Sequence, residues 1–90
     1  MNNGNFTIKE VELKLQYYCS YQDRCHKEVI EKLKTFKIIS EGVNQIISNL
    51  INENFLNETR FSKNFVRGKF KIKNWGKIRI VNELKRRNIS

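Results

Sequence analysis

The segment 68–80, GKFKIKNWGKIRI, constrains the fold more than any other stretch of this 90-residue chain. Basic and apolar residues alternate on both sides of an Asn-Trp-Gly centre, a pattern typical of a β-hairpin. A hairpin here would be an isolated two-stranded ribbon, which is only marginally stable in water. The apolar residues also extend a helical stripe from Phe61 through Phe65 and Gly68 to Ile72. We therefore predict a helix–turn–helix rather than a hairpin.

Apolar residues at helical spacing predict three further helices before this segment. The first spans about 8–18 and begins with a capping box, Thr7 to Glu10. The second spans about 23–36, capped by Ser20 or Asp23, and the third runs from a cap at Ser40 to about residue 54. We expect the tyrosines that end the first helix to pack in the core and between units: Tyr17, Tyr18 and Tyr21.

A fourth helix is expected after an N-cap at Asn57, and a fifth over about 76–88. In the fourth helix we expect Gly68 to allow close approach of a neighbouring element. Val66 and Phe70 share a different face of this helix and predict a second buried contact.

An internal repeat links the two halves of the chain. A shift of 51 residues aligns Val29 with Ile80 and Leu33 with Leu84, and a shift of 48 aligns the apolar residues of the first and fourth helices, Leu13, Tyr17 and Tyr18 with Phe61, Phe65 and Val66. The predicted fold is all-α, with tandem three-helix, helix-turn-helix-like repeats. The first repeat is complete and the second lacks its third helix. The corresponding domains are a disordered N-terminus (1–6), a first repeat (7–55) and the first two helices of a basic second repeat (56–90).

The charge of the chain is divided unevenly between these repeats. Residues 1–59 contain seven basic and eight acidic residues, a net charge of −1, whereas residues 60–90 contain eleven basic residues and one acidic residue, a net charge of +10. Such asymmetry indicates an anionic partner, either nucleic acid or an acidic protein surface. The chain has no apolar run long enough to span a membrane and no signal-peptide core, so we expect a cytoplasmic protein that does not enter a membrane.

Two stretches resemble the RecX family, regulators of the bacterial RecA recombinase. One is the segment 55–61, FLNETRF, and the other is a basic run that ends in Trp75-Gly76 and continues through Ile80 to Glu83-Leu84. The resemblance covers about residues 7–90. It implies tandem three-helix units and a non-enzymatic protein without cofactors. It further implies binding to the helical RecA–single-stranded DNA filament, which blocks filament extension, ATP hydrolysis and strand exchange in the SOS response and DNA repair.

The basic residues of the last third are the predicted contact surface for the filament or for DNA. They are Lys63, Arg67, Lys71, Lys73, Lys77, Arg79, Lys85, Arg86 and Arg87. Trp75 offers a ring for base stacking, although an aromatic residue beside glycine more often packs an interhelical turn. A solvated charged face is the structural alternative for the basic residues. The missing sixth helix would leave the Phe61, Phe65 and Ile72 stripe to be covered by the first repeat or by a second copy in a homodimer.

The alternative function is that of a helix-turn-helix transcription regulator that reads duplex DNA with the fifth helix. That helix offers mainly lysine and arginine, which suit phosphate, and only Asn82 and Asn88 as readers of bases. Cys19, Cys25 and His26 are too few and too irregularly spaced for a metal site, so no metal ligand is predicted. The two cysteines are expected to be reduced thiols, because two in a chain of this length do not make a disulfide framework.

Overall fold

The computed structural model describes residues 6–89, and the regular secondary structure of this part of the chain is entirely helical. Its five α-helices are α1 (Ile8–Tyr21), α2 (His26–Lys34), α3 (Ser40–Asn52), α4 (Glu58–Arg67) and α5 (Lys77–Arg86). Residues Gly68–Ile72 continue α4 as one π-helical turn. The segment that resembles a hairpin in sequence is therefore helix, turn and helix, and the all-α prediction is confirmed.

The start of α1 confirms the predicted capping box. The Glu10 backbone N–H donates to the Thr7 hydroxyl at 3.1 Å, and the Thr7 N–H donates to the Glu10 carboxylate at 2.8 Å. These bonds satisfy two backbone donors that have no partner inside the helix. The α2 cap differs from the prediction, because Cys25 rather than Ser20 or Asp23 precedes the helix and its N–H donates to the Glu28 carboxylate at 3.0 Å. At α3 Ser40 is the first helical residue and Ile39 takes the cap position.

Helices α1, α2 and α3 enclose the main hydrophobic core. Its buried residues come from one face of each helix and from the segments after α2 and α3: Val11, Leu15, Cys19, Val29, Leu33, Phe36, Ile46, Leu50 and Leu56. Gly42 lies where α3 approaches α1, since a Cβ there would stand 3.0 Å from the Ile8 Cδ1 atom.

The expectation that the three tyrosines of α1 pack in the core and between units is wrong for two of them. The side chains of Tyr17 and Tyr21 are 72% and 74% exposed, and only Tyr18 is half-buried. The reason is helical phase. At about 100° per residue, Tyr17 and Tyr21 lie on the opposite side of α1 from Val11 and Leu15, whereas Tyr18 borders the buried face.

A second, smaller core joins α4 and α5 to the first three helices. Phe61, Ile89 and Cys25 are buried there, with Phe65 and Leu84 packed against them. The Phe61 and Phe65 rings stack with centroids 5.7 Å apart. The apolar face of α4 is thus covered within the chain in part by Cys25 of the first unit. The result is an elongated molecule of 44 × 23 × 22 Å.

The π-helical turn explains where the predicted apolar stripe of α4 ends. Ile72, expected on the buried stripe, is 77% exposed. In a π-helical turn the hydrogen bond spans five residues rather than four, as between the Lys73 N–H and the Gly68 carbonyl at 3.2 Å, so later residues lag behind the α-helical phase. The expectation of close approach at Gly68 is also wrong, because a Cβ there would meet nothing within 4 Å.

The second buried contact predicted from Val66 and Phe70 is also absent from the described chain, where their side chains are 40% and 59% exposed. They lie on the side of α4 away from Phe61, and α5 packs elsewhere against the π-helical turn.

The structure corrects the register of the internal repeat for the first helix. The alignment of Leu13 with Phe61 pairs a residue that is 56% exposed with a buried one. A shift of 50 instead aligns the two N-caps, Thr7 with Asn57, and two buried residues, Val11 with Phe61. For the second helix the shift of 51 is consistent with the structure, since Val29 and Ile80 are both buried.

Candidate functional site: the basic face of the fourth and fifth helices

The N-terminus of α4 fixes the orientation of the basic residues that follow it. The side chain of Asn57 accepts a hydrogen bond from the Arg60 N–H at 2.9 Å, which confirms the predicted N-cap. The buried ring of Phe61 then directs one face of α4 toward the core. Because residues four apart share a helix face, the opposite side carries a row of bases at positions 63, 67 and 71.

This row forms the edge of a shallow groove of about 470 Å³, the α4 groove. Its floor is the exposed pair Val66 and Phe70. The side chains that complete the groove are those of Ser62, Lys63, Arg67 and Lys71. No carboxylate belongs to the described lining, so the groove presents three cations around an apolar centre. Such a surface has the charge to attract phosphates or carboxylates, and its apolar floor has room for a ring or an aliphatic side chain.

The turn after α4 is held by its own backbone and by Trp75. Asn74 has a left-handed backbone conformation with φ of 59°, and the Trp75 N–H donates to the Lys69 carbonyl at 2.8 Å. The half-buried Trp75 ring meets the Phe65 ring edge-on at 6.2 Å. The Lys69 ammonium lies 4.8 Å and the Arg79 guanidinium 3.8 Å from the centroid of the indole. Trp75 therefore packs the turn, and one face of its ring is occupied by Arg79.

The predicted residues of the turn and of α5 fall into two groups. Lys73, Lys77, Arg79, Lys85 and Arg86 are exposed. Arg87 is half-buried and engaged within the chain: its guanidinium donates to the Glu83 carboxylate at 2.9 Å and to the Glu83 carbonyl at 3.0 Å. The same guanidinium lies 4.9 Å from the Phe65 ring centroid. The hydrogen bond from Arg87 is the main cause that lowers the pKa of Glu83 below its usual value.

Arg60 is a structural residue of this region that the charge pattern does not single out. Its Nε donates to one carboxylate oxygen of Asp23 at 3.0 Å, and its other nitrogens donate to the carbonyls of Asn54 and Phe55 at 3.0 and 3.2 Å. The second Asp23 oxygen accepts from the Asn64 amide at 2.6 Å. These residues form the joint between the first unit and α4. The sequence signal was the position of Arg60 in the FLNETRF segment.

Two further contacts tie α2 to the basic helices. The Lys27 ammonium donates to the Arg86 carbonyl at 3.0 Å, and the His26 Nδ1 atom lies 3.8 Å from a Glu58 carboxylate oxygen. Burial raises the pKa of the Cys25 thiol, and it does the same for Cys19. Between residues 6 and 89 no group of three or more His, Cys, Asp or Glu side chains is placed to hold a metal ion. No helix in the same range is long and apolar enough to cross a membrane.

Comparison with known proteins identifies relatives of both units. The family model of the second three-helix domain of RecX matches residues 57–90. The Regulatory protein RecX of Finegoldia magna is 35% identical over 72 residues, which covers 80% of this chain and 35% of the relative. Regulatory protein RecX of Streptococcus agalactiae, in serotypes III and V, is 40% identical over 50 residues, 56% of this chain and 19% of the relative.

The chain thus spans about a third or less of the length of these relatives. No solved structure matches it. The matches agree with the helical architecture and with the segments at 55–61 and 75–84 that first indicated a family. The chain belongs to the RecX family.

Proposed function

We propose that this chain is a non-enzymatic regulator that binds the RecA–single-stranded DNA filament and inhibits the recombinase. In this proposal it acts in the cytoplasm and opposes filament extension, ATP hydrolysis and strand exchange. Family membership supports a regulator of RecX type. The filament as partner is the proposal, and the surface that would meet it is the α4 groove.

The observation that carries the proposal is the composition of the α4 groove. Lys63, Arg67 and Lys71 surround an exposed apolar floor, and no carboxylate within the described lining neutralises them. A solvated charged face gains nothing from exposed Val66 and Phe70, whereas a protein or nucleic-acid partner buries them. The filament offers both acidic protein and phosphate, so it matches the charge of the groove.

The elongated shape of the molecule also supports the proposal. Its long dimension of 44 Å is about twice its 22 and 23 Å cross-section, and all of the net positive charge lies in the half built from α4 and α5. The joint at Arg60 and Asp23 couples that basic half to a near-neutral unit. An elongated body with one cationic end can insert along a negatively charged groove.

The alternative, a regulator that reads duplex DNA through α5, has less support. α5 ends at Arg86, and Asn88 follows it in a left-handed conformation with φ of 62°, outside the helix. Of the two predicted base readers, only Asn82 therefore lies on a recognition helix. The Arg79 guanidinium is stacked on Trp75. Direct readout normally uses several side chains of one helix, so sequence-specific recognition is not the function that this geometry favours.

The test is RecA-dependent ATP hydrolysis on single-stranded DNA, titrated with the chain. We expect inhibition by the wild type and its loss in K63E/R67E/K71E. The matched control is K9E/K34E/K37E, which makes the same change in charge on exposed lysines outside the α4 groove. Both variants should retain the helical circular-dichroism signal. Equal inhibition by the wild type and by K63E/R67E/K71E would show that the α4 groove is not the binding surface. An equal loss of inhibition in both variants would show that net charge alone causes the effect.

A further inference from the structure

The first unit contains a groove that the filament proposal does not use, here called the tyrosine groove. It lies beside α1 and α2, has a volume of about 670 Å³ and opens to solvent. Its lining combines rings with cations: Phe6, Leu13, Lys14, Tyr17, Tyr18, Tyr21, Arg24, Lys32 and Phe36. Three of these side chains are basic and none of the described ones is acidic.

The rings of the tyrosine groove are unusually accessible. Tyr17 and Tyr21 are four residues apart on α1, so they share one face of the helix, and their side chains are 72% and 74% exposed. Leu13, four residues before Tyr17, extends the row and is 56% exposed. In a helix whose other face buries Val11 and Leu15, these three side chains find no cover from the described chain.

The cations of the groove are placed around the half-buried ring of Tyr18. The Arg24 guanidinium lies 3.7 Å from the centroid of that ring, and the Arg24 Nε donates to the Tyr18 carbonyl at 3.0 Å. The Lys32 ammonium lies 5.4 Å from the same centroid. Lys14 lies over Phe6 at 4.6 Å. The guanidinium is thereby held over the Tyr18 ring, in the groove that Tyr17 and Tyr21 also line.

The charge of this groove contrasts with that of the unit around it. Residues 1–59 carry a net charge of −1, yet three of their seven basic side chains line this one groove without an accompanying acid. A random distribution of solubilising charge would mix both signs here. Accessible rings among cations are instead the arrangement by which proteins bind single strands, with bases stacked on the rings and phosphates near the cations.

We propose that the tyrosine groove binds single-stranded nucleic acid by stacking one or two bases on Tyr17 and Tyr21, with Lys14 and Lys32 near the adjacent phosphates. A single strand fits better than a duplex because its bases are free to leave their stack, whereas duplex bases present no face to a protein ring. This inference rests on the proposed function only for its setting, a filament that contains single-stranded DNA. It concerns a different surface and is measured without the recombinase.

The experiment measures binding of the whole chain to fluorescein-labelled oligonucleotides by anisotropy. Oligo(dT) of 12 nucleotides is compared with an abasic oligonucleotide that has the same number of phosphates. We expect the wild type to bind oligo(dT) about tenfold more tightly per stacked base than the abasic strand. Y17A/Y21A should lose most of this difference and retain its affinity for the abasic strand, because it keeps every charge.

Two control variants separate stacking from other effects. Y17F/Y21F keeps both rings and should bind oligo(dT) as the wild type does. I39A removes an apolar side chain that is 66% exposed outside the groove and should also leave binding unchanged. Helical circular dichroism of each variant checks that it is folded.

Three results would overturn the inference. The first is wild-type affinity that is the same for both strands, and the second is an equal loss by Y17A/Y21A on both strands. The third is unchanged oligonucleotide binding by Y17A/Y21A together with loss of RecA binding, which would identify the groove as a protein contact. The variant K63E/R67E/K71E is run in the same assay. If this variant still prefers oligo(dT) to the abasic strand and still inhibits the RecA ATPase, the proposed role of the α4 groove is contradicted and that of the tyrosine groove is supported.

Discussion

The joint between the two units depends on Arg60, and its removal gives a quantitative prediction. Arg60 makes one ion pair with Asp23 at 3.0 Å and two hydrogen bonds to backbone carbonyls at 3.0 and 3.2 Å. The two side chains of the pair are 36% and 25% exposed, so solvent weakens the attraction and the pair contributes at most about 1 kcal/mol. Each carbonyl bond adds about 0.5 kcal/mol in this half-exposed setting. We expect R60M to lower the free energy of unfolding by about 2 kcal/mol.

Urea unfolding followed by circular dichroism measures this change. With a slope of roughly 1.5 kcal/mol per molar urea for a chain of this size, the midpoint should fall by roughly 1.3 M. R67M is the matched control, since Arg67 lies on the same helix and is exposed. A substitution of that kind changes stability by at most about 0.5 kcal/mol.

A double-mutant cycle tests whether Asp23 is the partner that matters. D23N keeps an oxygen for the Asn64 amide but removes the charge that faces Arg60. The coupling between D23N and R60M should be about 0.5–1 kcal/mol. A coupling of zero, or a midpoint for R60M equal to that of R67M, would refute the ion pair as the basis of the joint.

Three other predictions concern binding, backbone and thiols. The affinity of the chain for single-stranded DNA should fall with salt with a log–log slope near −3 if about four phosphates are neutralised; affinity that does not change with salt would contradict it. Gly68 has a φ of −65° and open space at its Cβ position, so G68A should stabilise the chain by about 0.5–1 kcal/mol in thermal unfolding. Destabilisation would show that the glycine is required. Burial raises the pKa of Cys19 and Cys25, so the thiols of the native protein stay protonated. The stability that they contribute is therefore fully present below the pKa of an unfolded cysteine, about 8.5, and declines as the pH rises above that value. A thiol reagent at pH 8 should therefore label them at the rate of unfolding, and labelling of the native protein as fast as free cysteine would contradict this.

Much of the fold was predictable because the helices of the first unit obey local rules. Apolar periodicity located each of them within a few residues, and the caps at Thr7 and Asn57 were identified from residue type alone. The hairpin pattern at 68–80 was resolved by the absence of any partner strand. These signals are local, so they do not depend on how the helices pack.

Two of the errors came from features that no local pattern encodes, and a third came from a helical phase that the sequence does contain. The π-helical turn at Gly68–Ile72 changes the phase of the helix, so a wheel drawn at 100° per residue placed Ile72 on the wrong side. The expectation that the tyrosines of α1 pack in the core rests on their position at the end of the helix, whereas their phase relative to Val11 places Tyr17 and Tyr21 outside. Residue type and position predict a helix cap at Asp23, and no local pattern indicates its actual partner, Arg60, which is 37 residues away.

The candidate site was predictable in composition but not in arrangement. The excess of positive charge after residue 59 is visible in the sequence, and the spacing of Lys63, Arg67 and Lys71 predicts a common face that the structure shows as one groove. The pairing of Arg87 with Glu83 and the stacking of Arg79 on Trp75 need coordinates. A count of charges does not distinguish a base available to a ligand from one that is engaged within the chain.

The π-helical turn at the end of α4 holds one residue more than an α-helical turn that rotates the chain by about the same angle. Deleting one residue between positions 68 and 72 would therefore restore regular α-helical winding and leave Trp75 and α5 close to their present direction. Deleting a second residue would remove one that a regular helix needs, and would turn everything downstream by about 100° about the axis of α4. A difference of one residue at this point among related chains is therefore expected to be tolerated, whereas a difference of two would re-aim the basic end.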